Sequence, residues 1–235
     1  MNKPRLLDLF CGAGGAAMGY HRAGFDVVGV DIKPQPHFPF RFIQADALKY
    51  LAEHCREFDV IHASPPCQAF SIMTNGRWQG RVHGHPDLIE PTRDLLRRSD
   101  RPYIIENVIG APLLHPLMLC GTMFGLETEA GNQLRRHRIF EISLPVGLTP
   151  PCRHNEFPAI GVYGGGQHPR RQSHRRSAER KMYASTPSDA DFGISAQRKV
   201  MGIDWMNGKE LNQAIPPAYT EWVGMEIREQ IEAKS

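Results

Sequence analysis

The sequence predicts an α/β fold with a mostly parallel sheet, and three observations predict it. Short apolar runs rich in β-branched residues alternate with stretches of helical character. A glycine-rich turn, Cys11-Gly12-Ala13-Gly14-Gly15, stands between the first such run and the first helix. Residues with useful chemistry, Asp31, Cys67 and Glu106, come directly after strands, at the edge where open parallel sheets bind ligands.

The elements follow in order. Arg5 to Phe10 reads as the first strand and Ala16 to Ala23 as a helix that Gly24 ends. Glycines in the intervening turn let the backbone approach a ligand, and the helix start presents free amides. A second strand, Val27 to Val30, ends in Asp31, an acid well placed for ribose hydroxyls. A third, Arg41 to Ile43, precedes Asp46. Phe58 to His62 reads as a buried strand that leads into Ala63-Ser64-Pro65-Pro66-Cys67-Gln68. The two prolines remove two amide donors and stiffen the turn, so the Cys67 thiol is held in one place, as a nucleophile requires.

Residues 69–86 are polar and contain glycine, Arg77, Trp78 and Arg81; so long a stretch without a pattern is usually functional or disordered. Asp87 to Arg98 reads as a helix with Pro91 near its start, and Arg101 to Ile105 as a strand capped by Glu106-Asn107-Val108. A carboxyl beside an Ile-Ile run can have its pKa raised by desolvation, and a protonated carboxyl can donate to a ring nitrogen. Met118 to Leu126 reads as a strand and loop around Gly121. Leu134 to Ile142 reads as a basic strand whose alternation places Arg136 and Arg138 on one face. The last helix carries Tyr219, Val223, Ile227 and Ile231 on one stripe.

At 235 residues the chain has room for one good core and a small appendage. Its 41% hydrophobic and 23% charged residues are ordinary for a globular protein, and no apolar run is long enough to cross a membrane. The N-terminus leads straight into a strand, so no signal peptide is expected, and five cysteines without paired spacing point to reduced thiols and an intracellular, cytoplasmic site. The net charge of +3 permits nucleic-acid binding without demanding it. The local distribution is more telling. Between Pro151 and Ser185, seven Lys or Arg (Arg153, Arg170, Arg171, Arg175, Arg176, Arg180, Lys181) stand against two acids, Glu156 and Glu179, a local +5. A basic, glycine-containing segment can track phosphates, and arginine is the usual guanine reader. Cys152 and His154 have the chemistry of metal ligands, but no second pair follows them, so no metal is expected.

Asp8-Leu9-Phe10-Cys11-Gly12-Ala13-Gly14-Gly15, Pro65-Pro66-Cys67-Gln68 and Glu106-Asn107-Val108 together resemble the DNA (cytosine-5) methyltransferases, over about residues 5–140 and again over 196–232. The resemblance implies a sheet of the S-adenosylmethionine-dependent methyltransferase type. It implies Phe10 stacked on the adenine and Gly12 and Gly14 passing under the methionine portion. It also implies Asp31 on the ribose, Ile32 against the adenine, Asp46 accepting from the adenine amino group, and Pro65 beside the cofactor. Cys67, Glu106, Arg136 and Arg138 become the catalytic set. The family carries Gln-x-Arg-x-Arg where this chain has Leu134, Arg136 and Arg138, with Gln133 one residue early. The segment after Cys67, with Gln68, Arg77 and Arg81, matches a loop that closes over DNA. Residues 1–144 and 196–235 would form the catalytic domain, and 145–195 a small target-recognition insert that carries Arg170, Arg171, Arg175 and Arg176. Glu210 to Pro217 partly matches the family's closing motif, with Asn212 in place of glycine and Gln213 in place of asparagine.

The implied activity is methyl transfer to C5 of cytosine in double-stranded DNA, on a base flipped out of the helix. A paired restriction endonuclease is a partner the resemblance admits. Three other readings share the core: a methyltransferase acting on cytosine in transfer RNA, a non-catalytic DNA-binding relative, and an unrelated nucleotide-binding enzyme. Parallel assays on DNA and RNA, single-turnover methylation and cofactor calorimetry separate them.

Overall fold

The computed structural model describes residues 3–66, 87–162 and 192–233. Its strands are β1 (Arg5–Leu9), β2 (Asp26–Asp31), β3 (Arg41–Gln44), β4 (Val60–Ala63), β5 (Tyr103–Asn107), β6 (Leu117–Leu119) and β7 (Arg138–Ile142). Its helices are α1 (Gly15–Arg22), α2 (Ala47–His54), α3 (Ile89–Ser99), α4 (Ile194–Met201), α5 (Gly208–Gln213) and α6 (Pro217–Glu232). The strands form one sheet in the order β3-β2-β1-β4-β5-β7-β6. The first five are parallel; β7 runs antiparallel to β5, and β6 antiparallel to β7.

Strand alternation divides the core between two faces. Leu6, Val27, Val60, Ile104 and Phe140 pack with Ala17 and Tyr20 of α1 and with Tyr219, Val223 and Ile227 of α6. Leu7, Leu9, Val28, Val30, Ile61 and Ile105 pack on the other side with Leu51 of α2 and with Ile89 and Leu96 of α3. A third cluster joins Ala13 of the glycine turn to Leu134, Ile160, Val162 and residues of α4 and α5. The expected stripe on the last helix is therefore the stripe that is buried, although Ile231 at its end is only partly so.

Two boundaries differ from the sequence expectation. The sequence reading placed no element after Asp46, but α2 begins there, and the Asp46 carboxylate accepts from the Lys49 amide at 3.0 Å, as an N-cap does. The basic strand expected from Leu134 starts only at Arg138, so strand alternation does not relate Arg136 to Arg138. Pro91 lies in the first turn of α3, where its missing N–H has no helical acceptor to lose.

Helices α1 and α6 come close because Gly19 has no side chain. A Cβ there would lie 2.2 Å from the Pro217 carbonyl oxygen and 2.1 Å from Thr220 Oγ1. The same Thr220 hydroxyl donates to the Ala16 carbonyl at 2.9 Å. Gly19→Ala gains about 0.5–1 kcal/mol of helix propensity but overpacks a backbone contact, which costs about 1–3 kcal/mol. The expected outcome is net destabilisation with an unchanged m-value in urea unfolding; a more stable variant would show that α1 and α6 can move apart freely.

Candidate active site

The winding of the sheet changes direction between β1 and β4, which opens a crevice beyond their carboxyl ends. One wall follows β1. Phe10 takes the left-handed conformation (φ 57°), rare for an aromatic residue, and Gly12 and Gly14 have φ of 49° and 86°. A Cβ on Gly12 would meet nothing within 4 Å, so its glycine answers to backbone conformation and leaves space above the turn. The Gly12 amide donates to Asp31 Oδ2 at 3.1 Å and the Lys33 amide to Asp31 Oδ1 at 2.9 Å, which fixes the carboxylate and leaves each oxygen a further lone pair. Ile32 beside it is 65% exposed, a large apolar side chain with a face to offer. Asp46 stands at the end of the neighbouring strand, with Oδ1 committed to the α2 cap. From the far end of the chain, Trp205 Nε1 donates to the Ala13 carbonyl at 2.8 Å, and Ile215 backs the turn at Gly15.

The other wall follows β4 and β5. Pro65 is buried, and its carbonyl accepts from Asn107 Nδ2 at 3.0 Å, so the Ser64-Pro65-Pro66 turn is tied to the end of β5. Glu106 is buried there and pairs with Arg138, with Nε 3.0 Å from Oε1. They meet because antiparallel β7 begins beside the end of β5. Burial raises the Glu106 pKa; Arg138, a hydrogen bond from Ser64, and Arg136 oppose the rise. Behind Glu106 runs a buried chain of hydrogen bonds: Tyr20 OH to His62 Nδ1 at 2.9 Å and His62 Nε2 to Ser64 Oγ at 2.9 Å. In the tautomer with the His62 proton on Nε2, Tyr20 donates to His62, His62 to Ser64, and Ser64 to Glu106.

Asp8 is a further acid in this region. It is fully buried on β1, and neither oxygen closes a hydrogen bond of ordinary geometry among the described residues. Burial first, then the Asp31 and Glu106 charges, hold its pKa well above the usual carboxylate range, against the opposing Ala17 amide. Burial and the Asp8 and Asp31 charges also push the Cys11 thiol far up, so it remains protonated and a poor nucleophile.

The structure thus gathers Phe10, Gly12, Gly14, Asp31, Ile32, Asp46, Pro65, Glu106 and Arg138 at one end of the sheet. Arg136 lies at the same end but is directed differently. It is buried, and its guanidinium donates to the Val162 carbonyl through Nη1 and to the Asn212 carbonyl through Nη2 at 2.9 Å, joining three parts of the chain. Gln133 is turned away too: its side chain accepts from the Asn155 amide at 2.9 Å. Cys67, Gln68, Arg77, Arg81, Arg170, Arg171, Arg175 and Arg176 lie outside the described residues. Sequence reasoning missed Asp8, Tyr20, His62, Ser64 and the tethering role of Asn107. A histidine inside an apolar strand and an acid between leucines were the signals present.

Residues 4–111 match the model of the C-5 cytosine-specific DNA methylase family, a span that includes both walls but stops before β7. The Type II methyltransferase M.AplI of Arthrospira platensis is 35% identical over 112 residues, 45% of this chain and 31% of the relative. M.XorII of Xanthomonas oryzae is 34% identical over 89 residues, 31% of this chain and 21% of the relative. The chain therefore spans at most about a third of the length of these curated relatives. Among solved structures, a prophage-encoded DNA modification methyltransferase of E. coli superposes with a TM-score of 0.60 at 16% identity, covering 98% of this chain and 100% of that one. S. pombe Dnmt2 methyltransferase gives 0.55 at 10% identity over 97% and 99%. At such identities the likeness is one of fold: a mostly parallel seven-stranded sheet with helices on both sides.

His62 carries a pH signature of this arrangement. Burial pushes its pKa down from 6.5 to about 3. Between those values the unfolded chain binds a proton that the folded chain refuses, so stability rises with pH across the window and is lost as pH falls through it. The residue contributes up to about 1.4 kcal/mol per pH unit there. Urea unfolding of the wild type and His62→Gln at several pH values between about 4 and 6 should show the wild type losing stability faster on acidification by that amount. Parallel pH profiles would mean that His62 protonates in the folded state.

Proposed function

We propose, from the match of residues 4–111 to the model of the C-5 cytosine-specific DNA methylase family, that this chain transfers a methyl group from S-adenosylmethionine to C5 of cytosine in double-stranded DNA. The observation that carries the reading is Glu106. This buried acid, of raised pKa, is held by Arg138 and Ser64 one hydrogen-bonded turn away from the residue that precedes Cys67. A restriction endonuclease of matching specificity is the partner consistent with Type II relatives.

The β1 wall fits the cofactor on its own features. Gly12 leaves open space, Ile32 offers an apolar face to adenine, and the oxygens of Asp31 keep lone pairs for ribose hydroxyls. Asp46 retains Oδ2 for an adenine amino group, and Phe10 flanks the same turn. S-adenosylmethionine, when bound, supplies a methyl group on a sulfonium, an electrophile that a nucleophilic C5 can attack.

Cytosine C5 is a poor nucleophile, and the chain's residues correct this. The Cys67 thiolate adds to C6, forming a carbon–sulfur bond and sending the electron pair into the ring. Glu106, protonated because burial raises its pKa, donates to N3 and receives that charge. Arg138, already aligned by Glu106, stabilises the O2 side. Arg136 acts one step back, holding the Val162 and Asn212 carbonyls and so the backbone from which Arg138 projects. After methylation a base takes the C5 proton, and the thiolate leaves as the ring double bond re-forms. Inside a duplex the base is stacked out of reach, so it is flipped, and Gln68, Arg77 and Arg81 serve to hold the opened DNA. Arg170, Arg171, Arg175 and Arg176 of the basic insert contact phosphates or guanines.

Two measurements test this. Asp31→Ala should weaken S-adenosylmethionine binding in calorimetry by about 1–3 kcal/mol, as loss of a charged hydrogen-bond partner does; unchanged affinity would remove Asp31 from the pocket. A DNA duplex with 5-fluorocytosine at the target should trap the protein, because fluorine cannot leave as a proton does. The adduct should survive denaturing electrophoresis, require the cofactor, vanish in Cys67→Ser, slow in Glu106→Gln and persist in Cys11→Ala. Robust methylation by Cys67→Ser protein would overturn the mechanism, and trapping on RNA but not DNA would move the substrate.

A further inference from the structure

A second cluster of reactive side chains lies apart from the crevice residues. Cys120 follows β6, His137 immediately precedes β7, and Cys152 and His154 sit on the segment after β7. Their four potential ligand atoms all lie within 4.8 Å of one another. Cys152 Sγ is 3.1 Å from His154 Nε2 and 3.4 Å from His137 Nε2, and Cys120 Sγ is 3.5 Å from His154 Nε2. A tetrahedral Zn2+ holds sulfur at about 2.3 Å and nitrogen at about 2.0–2.1 Å, which puts neighbouring sulfur and nitrogen ligands about 3.6 Å apart. These three sulfur–nitrogen spacings fall at or inside that edge length, and the widest separation among the four atoms, within 4.8 Å, leaves a small adjustment to close around an ion.

We propose that Cys120, His137, Cys152 and His154 bind one Zn2+ as a tetrahedral Cys2His2 site. Two thiolates and two imidazoles are a donor set that suits zinc, and four protein ligands leave no open position, which makes the site structural rather than catalytic. Binding releases the two thiol protons to solvent as the Zn–S bonds form. The surroundings also suit it. The Thr122 hydroxyl lies 3.3 Å from Cys120 Sγ and 3.7 Å from Cys152 Sγ, placed to donate to a thiolate. Cys120 is buried and the others are progressively more open, so the ion can enter from the His154 side. No second ligand pair follows His154 along the chain; the fold supplies one from before it, Cys120 and His137.

The site gives the chain a cross-link where it has little regular structure. It ties the end of β6 and the start of β7 to residues 152–154, which have neither helix nor strand. It also anchors His137, the residue between Arg136 and Arg138, whose carbonyl accepts from Arg138 Nη1 at 2.8 Å. Zinc would therefore hold the backbone from which Arg138 reaches Glu106.

The test uses the full chain without a histidine tag, loaded with zinc chloride and dialysed exhaustively. Mass spectrometry of the metal should find one zinc per chain, and Co2+ exchanged into the site should give the intense visible bands of a tetrahedral thiolate complex. His154→Ala and Cys152→Ser should lose the stoichiometric metal, whereas His154→Cys should keep it by supplying another soft ligand. Because His154 is exposed, its replacement tests ligation rather than core packing. A chelator should lower the melting temperature of the wild type and leave that of His154→Ala unchanged. Wild-type protein without retained zinc, or full zinc in both His154→Ala and Cys152→Ser, would each overturn the proposal.

Discussion

Arg138 and Glu106 meet across the junction of β5 and β7 with side chains only 14% and 7% exposed. A guanidinium taken this far from water is costly, and removing its Glu106 partner would leave Arg138 stranded at a cost of several kcal/mol. That constraint governs the elements around them. Antiparallel β7 must lie next to β5 so that its first residue reaches the end of its neighbour. The carboxylate needs further donors, and Ser64 supplies one at the head of a chain that runs back through His62 to Tyr20 of α1. Burial raises the pKa of the acid, and its partners, which oppose that rise, satisfy a polar group that would otherwise stand alone in the core.

A second dependence links the two ends of the chain. The turn after β1 is held from the C-terminal side, by Trp205 on the Ala13 carbonyl and by Ile215 against Gly15. Helix α6 then lies along α1, in contact through Gly19 and Thr220. Tyr219 of α6 also donates to the Arg136 carbonyl, so the helix that closes the glycine turn touches the arginine stretch as well. Both walls of the crevice are therefore braced by residues far away in sequence, 192 positions for Trp205 on Ala13 and 83 for Tyr219 on Arg136.

Much of the fold was legible beforehand. The strands β1 to β5 and the helices α1, α3 and α6 follow from local pattern, since apolar alternation and turn glycines act over a few residues. The strand ends bearing Asp31 and Glu106 were legible for the same reason. Helix α2 was overlooked although Asp46 is a good N-cap; it is short, and only Ala47 and Leu51 in it are fully buried. The start of β7 was misplaced because alternation of arginines from Leu134 onward resembles a strand that the chain does not form.

By itself the sequence determined the α/β character, the glycine turn, and the identity and strand-end position of the acids, because each depends on neighbours close along the chain. The tertiary structure alone decided which way those groups turn and what they meet. It sent Arg136 to two carbonyls and Arg138 to Glu106, made partners of Tyr20, His62 and Ser64, and gathered Cys120 and His137 beside Cys152 and His154. These encounters join residues brought together by strand order and helix packing, and spacing along a chain carries no record of contacts that only folding makes.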